Sequence, residues 1–211
     1  WQLNDCWATH SWAVIDSAGV PKLAYYQVKR SYAPRIVSIV KTGNRVTAHV
    51  VNDLTERIDA NIELSIRTFD GQLIVADRKA LRVDGDSALR DAAAVTLPGF
   101  ISDSPEEVYA EARITEDNKI IAYTTTLLAE PKNLRTGQVK LNVSLDASGN
   151  VNIRTERFAP FVMIRAKDDA IRLTLSDNGF HVSPGEVKIV SVKGVPMENI
   201  LDAITVTAFE R

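Results

Sequence analysis

The sequence predicts a mainly β protein: two consecutive immunoglobulin-like antiparallel sandwiches, preceded by a short strand–loop–helix segment. Three observations carry this prediction. From about residue 34 onward, apolar residues recur with a period of two in short stretches, the mark of half-buried strands. Those stretches are bounded by Gly, Asn, Asp and Pro turns of the kind that join antiparallel neighbours. All three tryptophans of the 211 residues, Trp1, Trp7 and Trp12, fall within the first twelve positions, which sets the opening segment apart.

That segment covers residues 1–33. It opens with no initiator Met, no basic n-region and no apolar signal core. The expectation is that the chain begins partway through a larger polypeptide, beside a site whose other half lies elsewhere. Asp16-Ser17-Ala18-Gly19-Val20-Pro21 is turn-like. Lys22 to Tyr32 then contains neither Gly nor Pro, and Leu23, Tyr26 and Arg30 recur at helical spacing, as do Ala24, Val28 and Tyr32. Pro21 suits the first turn of a helix, where its missing N–H costs little. Ala33-Pro34 stops it, because the residue before Pro avoids the α region. One short strand, a loop and one helix are too little for an independent core.

Residues 34–130 form the first expected sandwich. Ile36–Val40 and Arg45–Val51 flank the turn Thr42-Gly43-Asn44. Ala60, Ile62, Leu64 and Ile66 alternate with Asn61, Glu63, Ser65 and Arg67, and Asp70-Gly71 turns the chain into residues 72–76. Val108, Ala110, Ala112 and Ile114 alternate with Tyr109, Glu111 and Arg113, and Asp117-Asn118 leads into residues 120–124. This is sandwich patterning.

Residues 131–211 form the second expected sandwich. The polar, Pro- and Gly-bearing stretch from Glu130 to Gly137 reads as the linker. Val139, Leu141, Val143 and Leu145 alternate with polar residues, and Ala147-Ser148-Gly149-Asn150 turns into Val151, Ile153 and Thr155. Further strands are expected at 161–164, 171–175, 187–192 and 203–209. A sandwich this small has a marginal core unless it docks on a neighbour.

Composition excludes several functions. Hydrophobic content of 45% and charged content of 25% are ordinary for a globular chain. A net charge of −2 and a pI near 6.0 argue against nucleic acid as a partner. Cys6 is the single cysteine, so no internal disulfide or Cys-based zinc site is available. His10, His49 and His181 lie far apart, so no metal is expected, and nothing calls for another cofactor. No apolar run approaches the ~20 residues that span a bilayer.

The opening residues also carry a resemblance. Trp1-Gln2-Leu3-Asn4-Asp5-Cys6-Trp7, Ser11-Trp12-Ala13-Val14-Ile15-Asp16, Lys22, Tyr25-Tyr26, Lys29-Arg30 and Ala33-Pro34 resemble the end of the catalytic barrel in β-mannosidases of glycoside hydrolase family 2. Leu175-Ser176-Asp177-Asn178-Gly179-Phe180 with Pro184-Gly185-Glu186 is similar, less specifically, to that family's last sandwich. Ala8, where relatives commonly have proline, and Gly179, at a position often aromatic, depart from the pattern. The resemblance implies that residues 1–33 are the last βα unit of a truncated barrel. It implies two accessory sandwiches, and a parent enzyme that removes terminal β-mannose by double displacement. The same region of another family 2 exo-glycosidase, such as a glucosaminidase or galactosidase, stays open. So does a non-catalytic carbohydrate-binding or adhesive pair of sandwiches.

Retaining hydrolysis needs two carboxyl groups about 5–5.5 Å apart. In the family both are glutamates on earlier strands, and residues 1–33 contain none, only Asp5 and Asp16. No catalytic residue is therefore expected within this chain, and Glu106, Glu107, Glu130 and Glu156 are expected to be solvated. As candidate substrate contacts, Trp1 stacks on a sugar face or packs in the barrel. Asn4 and Asp5 bond sugar hydroxyls or pin the loop, pinning being favoured because short polar side chains readily bond local backbone. Trp7 and Trp12 are expected to pack between barrel loop and sandwich, and Cys6 to fill a buried gap. Tyr109, Tyr123 and Phe180 are the aromatics a sugar-binding sandwich would expose. The favoured role for the sandwiches is to brace the barrel or form a homodimer interface. The expected partner is a β-mannoside carbohydrate, bound through the parent barrel.

Overall fold

A computed structural model describes residues 1–211. The chain forms two compact units: one is Ala33–Thr136 with Arg211, the other Trp1–Tyr32 with Gly137–Glu210.

The first unit holds seven strands: β1 (Arg35–Thr42), β2 (Arg45–Asn52), β3 (Ile58–Thr68), β4 (Leu73–Val83), β5 (Ser87–Thr96), β6 (Val108–Glu116) and β7 (Lys119–Leu127). They make two sheets, in the orders β1-β2-β5 and β4-β3-β6-β7. All pairs are antiparallel. The expected hairpins at Thr42–Asn44, Asp70–Gly71 and Asp117–Asn118 join β1 to β2, β3 to β4 and β6 to β7. After β4 the chain changes sheets, so that β5 pairs with β2.

The alternating residues do what the pattern predicts on one face. Val46, Ala48 and Val50 of β2, Ile62, Leu64 and Ile66 of β3, and Ala110, Ala112 and Ile114 of β6 are fully buried. On β6, however, Tyr109 and Glu111 are buried as well. A central strand is flanked on both sides, so its second face is covered by neighbouring side chains even where that face is polar. The stretch read as a linker is also packed: Pro131–Asn133 forms a 3-10 turn, and Leu134 and Thr136 are buried. The Arg135 N–H bonds the Glu106 carbonyl at 3.1 Å, which ties this stretch to its own unit.

The second unit contains helix α1 (Leu23–Ser31) and eight shorter strands. These are β8 (Leu141–Leu145), β9 (Val151–Thr155), β10 (Ala159–Ala166), β11 (Thr174–Leu175), β12 (Phe180–Val182), β13 (Val187–Val190), β14 (Val192–Lys193) and β15 (Ile204–Thr207). The sheets run β13-β9-β8, β12-β10-β15 and β11-β14. The core gathers Val151, Ile153, Phe158, Val162, Ile164 and Val190. Expected strand 171–175 shrinks to two residues, and 203–209 begins in a helical turn, Ile200–Ala203, before β15. β10 is interrupted by a bulge between Ala159 and Val162, where Phe161 takes φ 49° and its N–H turns to His181 Nδ1 at 3.1 Å.

Helix α1 ends as the sequence indicates, just before Ala33-Pro34. The strand expected before it does not form as a regular element. Residues 1–22 make only isolated bridges, Asn4 with Ile15 and Ile15 with Pro21. A strand without a neighbouring ladder has no continuous set of partners for its backbone groups. No helix is long and apolar enough to cross a membrane.

Candidate functional site

The candidate site is the loop that leads into α1, and it is organised around a buried carboxylate. Asp5 is 4% exposed although it lies in a surface loop. Its Oδ1 accepts from the Ser11 hydroxyl, and its Oδ2 receives Lys22 Nζ at 2.8 Å. Ser11 Oγ in turn accepts the Ala13 N–H at 3.0 Å. The Asp5 backbone N–H bonds the Ile15 carbonyl, and the Ile15 N–H bonds the Leu3 carbonyl, both at 3.0 Å. The Lys22 hydrogen bond, and then that from Ser11, hold the Asp5 carboxyl below its ordinary pKa. Its folded pKa is depressed, so its contribution to the loop is present above the ordinary carboxylate pKa. That contribution is lost as pH falls through the lowered value.

Asp16, the other carboxylate of this segment, closes the next turn. Its Oδ1 accepts the N–H of Ala18 at 2.9 Å and of Val20 at 2.8 Å, which satisfies the turn that Gly19 makes possible. Both carboxylates of residues 1–32 therefore hold backbone and side chains in place.

The sequence-predicted contacts separate by environment. Trp1 is fully exposed, and Asn4 is exposed with its Nδ2 on the Asp5 carbonyl at 3.2 Å. Asp5 is drawn inward to Lys22, seventeen residues on in sequence. Trp7 and Trp12, expected to pack, are exposed at 70% and 82%, and Cys6, expected to be a buried filler, is exposed too. Within this chain the loop is anchored through the polar set Asp5, Ser11 and Lys22.

In the sandwiches, two of the three aromatics proposed as an exposed sugar platform are buried, Tyr109 and Phe180. Tyr109 sits beside Phe69, with ring centroids 6.5 Å apart, and Phe180 lies in the second core under Lys188. Tyr123 is exposed at 40%, but its hydroxyl donates to Glu111 Oε2 at 3.0 Å. Glu111 is the residue that sequence reasoning missed. It is buried on the outer face of the β4-β3-β6-β7 sheet, with Arg113 Nη2 at 2.6 Å and Arg67 Nε at 3.7 Å from Oε1. Glu63 extends the network, receiving Arg67 at 3.4 Å and Arg78 at 2.8 Å. The available signal was a ladder of charged residues alternating with the core residues on adjacent strands. Its arrangement is that of a sheet face held by paired charges. No group of three or more His, Cys, Asp or Glu side chains is arranged to hold a metal ion.

Residues 44–133 match the mannosidase Ig/CBM-like domain, and residues 133–210 match the Ig-fold domain of the mannosidase type. The chain thus carries two consecutive Ig-like domains that these two models describe. It is 26% identical to β-mannosidase B of Thermothelomyces thermophilus over 227 residues, and 26% identical to that of Aspergillus niger over 215. Each alignment covers 92% of this chain and 25% of the relative, so the chain spans about a quarter of the length of the curated relatives it matches. Among solved structures, a β-D-mannosidase from Dictyoglomus thermophilum superposes with a TM-score of 0.83 at 19% identity, covering 100% of this chain and 26% of that one. The exo-chitosanase of Amycolatopsis orientalis superposes with a TM-score of 0.67 at 16% identity, covering 99% of this chain and 29% of that one. These likenesses show the fold, with its two Ig-like domains and short helix. The region is an Ig-like accessory region of the kind that family 2 glycoside hydrolases carry.

Proposed function

We propose that this chain is the C-terminal accessory region of an exo-acting, retaining β-mannosidase, which hydrolyses terminal β-D-mannose residues. The observation that carries the reading is that β-mannosidase relatives align over 92% of the chain. Double displacement needs an acid/base and a nucleophile on opposite sides of the glycosidic bond. Asp5 and Asp16, the only carboxylates in residues 1–32, are committed to the loop. In this reading, as the family resemblance implies, the catalytic pair belongs to the part of the enzyme that precedes this region.

In this reading residues 1–32 close the catalytic barrel, whose chemistry sits at the C-terminal ends of its strands. Trp1 offers a large flat surface to a sugar ring at little entropic cost. Asn4, exposed one residue from the buried Asp5, presents an amide to the substrate hydroxyls. Asp5 serves the site by holding the loop. The sandwiches brace the barrel or mediate association between copies.

Hydrolysis of p-nitrophenyl β-D-mannoside, run on this 211-residue chain and on a longer chain that includes the barrel, tests the reading. Activity is expected in the longer chain only. There, Trp1→Ala is expected to raise KM about tenfold. Activity in the 211-residue chain would overturn the placement of the carboxyl pair. A longer chain that cleaves a β-glucosaminide or β-galactoside in place of the mannoside would overturn the sugar assignment and leave the family reading standing.

A further inference from the structure

Helix α1 cannot hold its position by itself. It has nine residues, no acidic residue in its first turn and no side-chain cap at its N-terminus. Helices shorter than ~12–15 residues are marginal in water even for favourable sequences. Its place must come from tertiary contacts, and those converge on one loop of the C-terminal sandwich, residues 176–179. Lys29 Nζ donates to the Ser176 carbonyl at 2.9 Å. Arg30 pairs with Asp177 Oδ1 and donates to the carbonyls of Asn178 and Gly179, each at 3.2 Å. Leu23 lies so close to Gly179 that a Cβ there would meet its Cδ2 at 3.1 Å. Leu23, Tyr26 and Arg30 form one helical face, and Tyr26, between the other two, is buried.

The receiving loop is itself fastened to the sheets. Asn178, buried, accepts the Ile164 N–H and donates to the Ile164 carbonyl, both at 2.9 Å. Ser176 and Ser191 exchange hydrogen bonds at 2.9 and 3.0 Å. Asp177 is divided between two cations on different elements: Oδ1 takes Arg30 of α1, and Oδ2 takes Lys188 of β13 at 2.6 Å. It is the side chain that joins helix to sandwich by charge. The planar guanidinium fixes direction as well as distance, since it also donates to two carbonyls of the same loop and to Gln27 Oε1 of its own helix at 3.1 Å.

The opposite end of α1 grips the candidate site. Lys22 is its N-cap residue, and its carbonyl accepts the Tyr25 N–H at 3.0 Å. Its own N–H bonds the Val14 carbonyl at 2.8 Å, and its Nζ reaches Asp5. Eight residue-to-residue steps of helix, about 12 Å at 1.5 Å each, separate Lys22 from Arg30. The contacts thus run without a gap from Lys188 through Asp177, Arg30, α1 and Lys22 to Asp5, and end on the loop that bears Asn4.

We propose that Asp177 is a positioning residue: through Arg30 and α1 it lets the C-terminal sandwich set the geometry of the loop of residues 4–22. The consequence for substrate rests on the β-mannosidase reading above, because only then does that loop border a sugar. Asp177 touches no substrate. It places Asn4, in the loop held at the far end of the helix.

Hydrogen exchange on the 211-residue chain tests the coupling without any activity assay. With Asp177→Asn, the amides of Asp5, Ile15 and Lys22 are expected to exchange about tenfold faster, while those of β9 and β10 keep their protection. Arg30→Gln, which leaves the sandwich side of the contact intact, is expected to do the same and serves if Asp177→Asn unsettles the sandwich. Unchanged protection at Asp5, Ile15 and Lys22 in both variants would overturn the proposal. In the longer enzyme, Asp177→Asn is expected to raise KM for an aryl β-mannoside about fivefold at a temperature where it is fully folded, with Arg30→Lys intermediate. A lowered melting temperature with KM and kcat intact would overturn the link to substrate while leaving the clamp. A wild-type longer chain that cleaves no glycoside would overturn the functional reading, and the exchange result would still decide the role of Asp177.

Discussion

The sandwich of residues 35–127 is built from strands of eight to eleven residues, whereas strands of two to eight residues make up the one that follows. The first gathers 21 buried apolar residues into one core cluster, and the second 12. Long ladders let the first alternate core and surface residues over whole strands, and apolar burial carries it. The second has too little area for that. It depends on loops fastened by individual polar side chains, on the Asn178 anchor, and on a helix from the other end of the sequence that contributes Tyr26. The same architecture is thus held mainly by area in one case and by specific contacts in the other.

The largest expected effect tests this at the core. Leu64→Ala, in the centre of β3, should cost the first sandwich about 4 kcal/mol, because long, fully paired neighbours cannot collapse into the space. Ile153→Ala should cost the second about 2–3 kcal/mol, since short strands and loops relax more readily. Calorimetry or denaturant unfolding of each variant checks the pair, and equal costs would break the comparison.

Next is the anchor. Asn178→Ala leaves the N–H and carbonyl of Ile164 without their partner and should destabilise the second unit by about 2–3 kcal/mol. It should also loosen α1, visible as faster exchange at Tyr26, with the first sandwich unaffected. Loss of stability spread evenly over both units would argue against a local, contact-based second unit.

The smallest effect is a pH dependence confined to the second sandwich. Burial, and then the charge of Arg30, push His181 down to about 4 from an ordinary 6.5. The folded state therefore prefers the neutral ring, whose Nδ1 accepts the Phe161 N–H in the β10 bulge. Protons bind the unfolded chain more readily, so this contribution is complete above pH 6.5 and is lost as pH falls towards 4. At pH 5 the loss should be about 2 kcal/mol. His181→Gln should flatten that part of the stability profile, and an unchanged slope between pH 7 and 4 would remove His181 from the account.

Much of the fold was legible because its signals are local. The alternation at Ile62, Leu64 and Ile66, the hairpin turns at Gly43, Asp70-Gly71 and Asp117-Asn118, and the Pro34 stop after α1 each depend on a few adjacent residues. Even the helix face that docks, Leu23, Tyr26 and Arg30, was visible as a spacing. What covers a face was not. Glu111 and Tyr109 read as the outward half of an alternating strand, yet both are buried. Covering that half requires Arg67 and Arg113 to fold over Glu111, and Phe69 to lie beside Tyr109.

The candidate site divides in the same way. The loop-pinning alternative for Asp5 rested on local backbone donors, whereas its carboxyl takes the Ser11 hydroxyl and the Lys22 ammonium. That its cation would be Lys22, and that the helix beginning there would end on Asp177, depends on contacts 17 and 147 residues apart. The sequence alone determined the alternation along β3 and β6, the hairpin turns and the helix, because backbone preference and side-chain period act over a few residues. Only the tertiary structure decided which carboxylate meets which cation and which aromatic is covered. Those outcomes depend on desolvation and charge pairing between distant segments, and no local pattern records them.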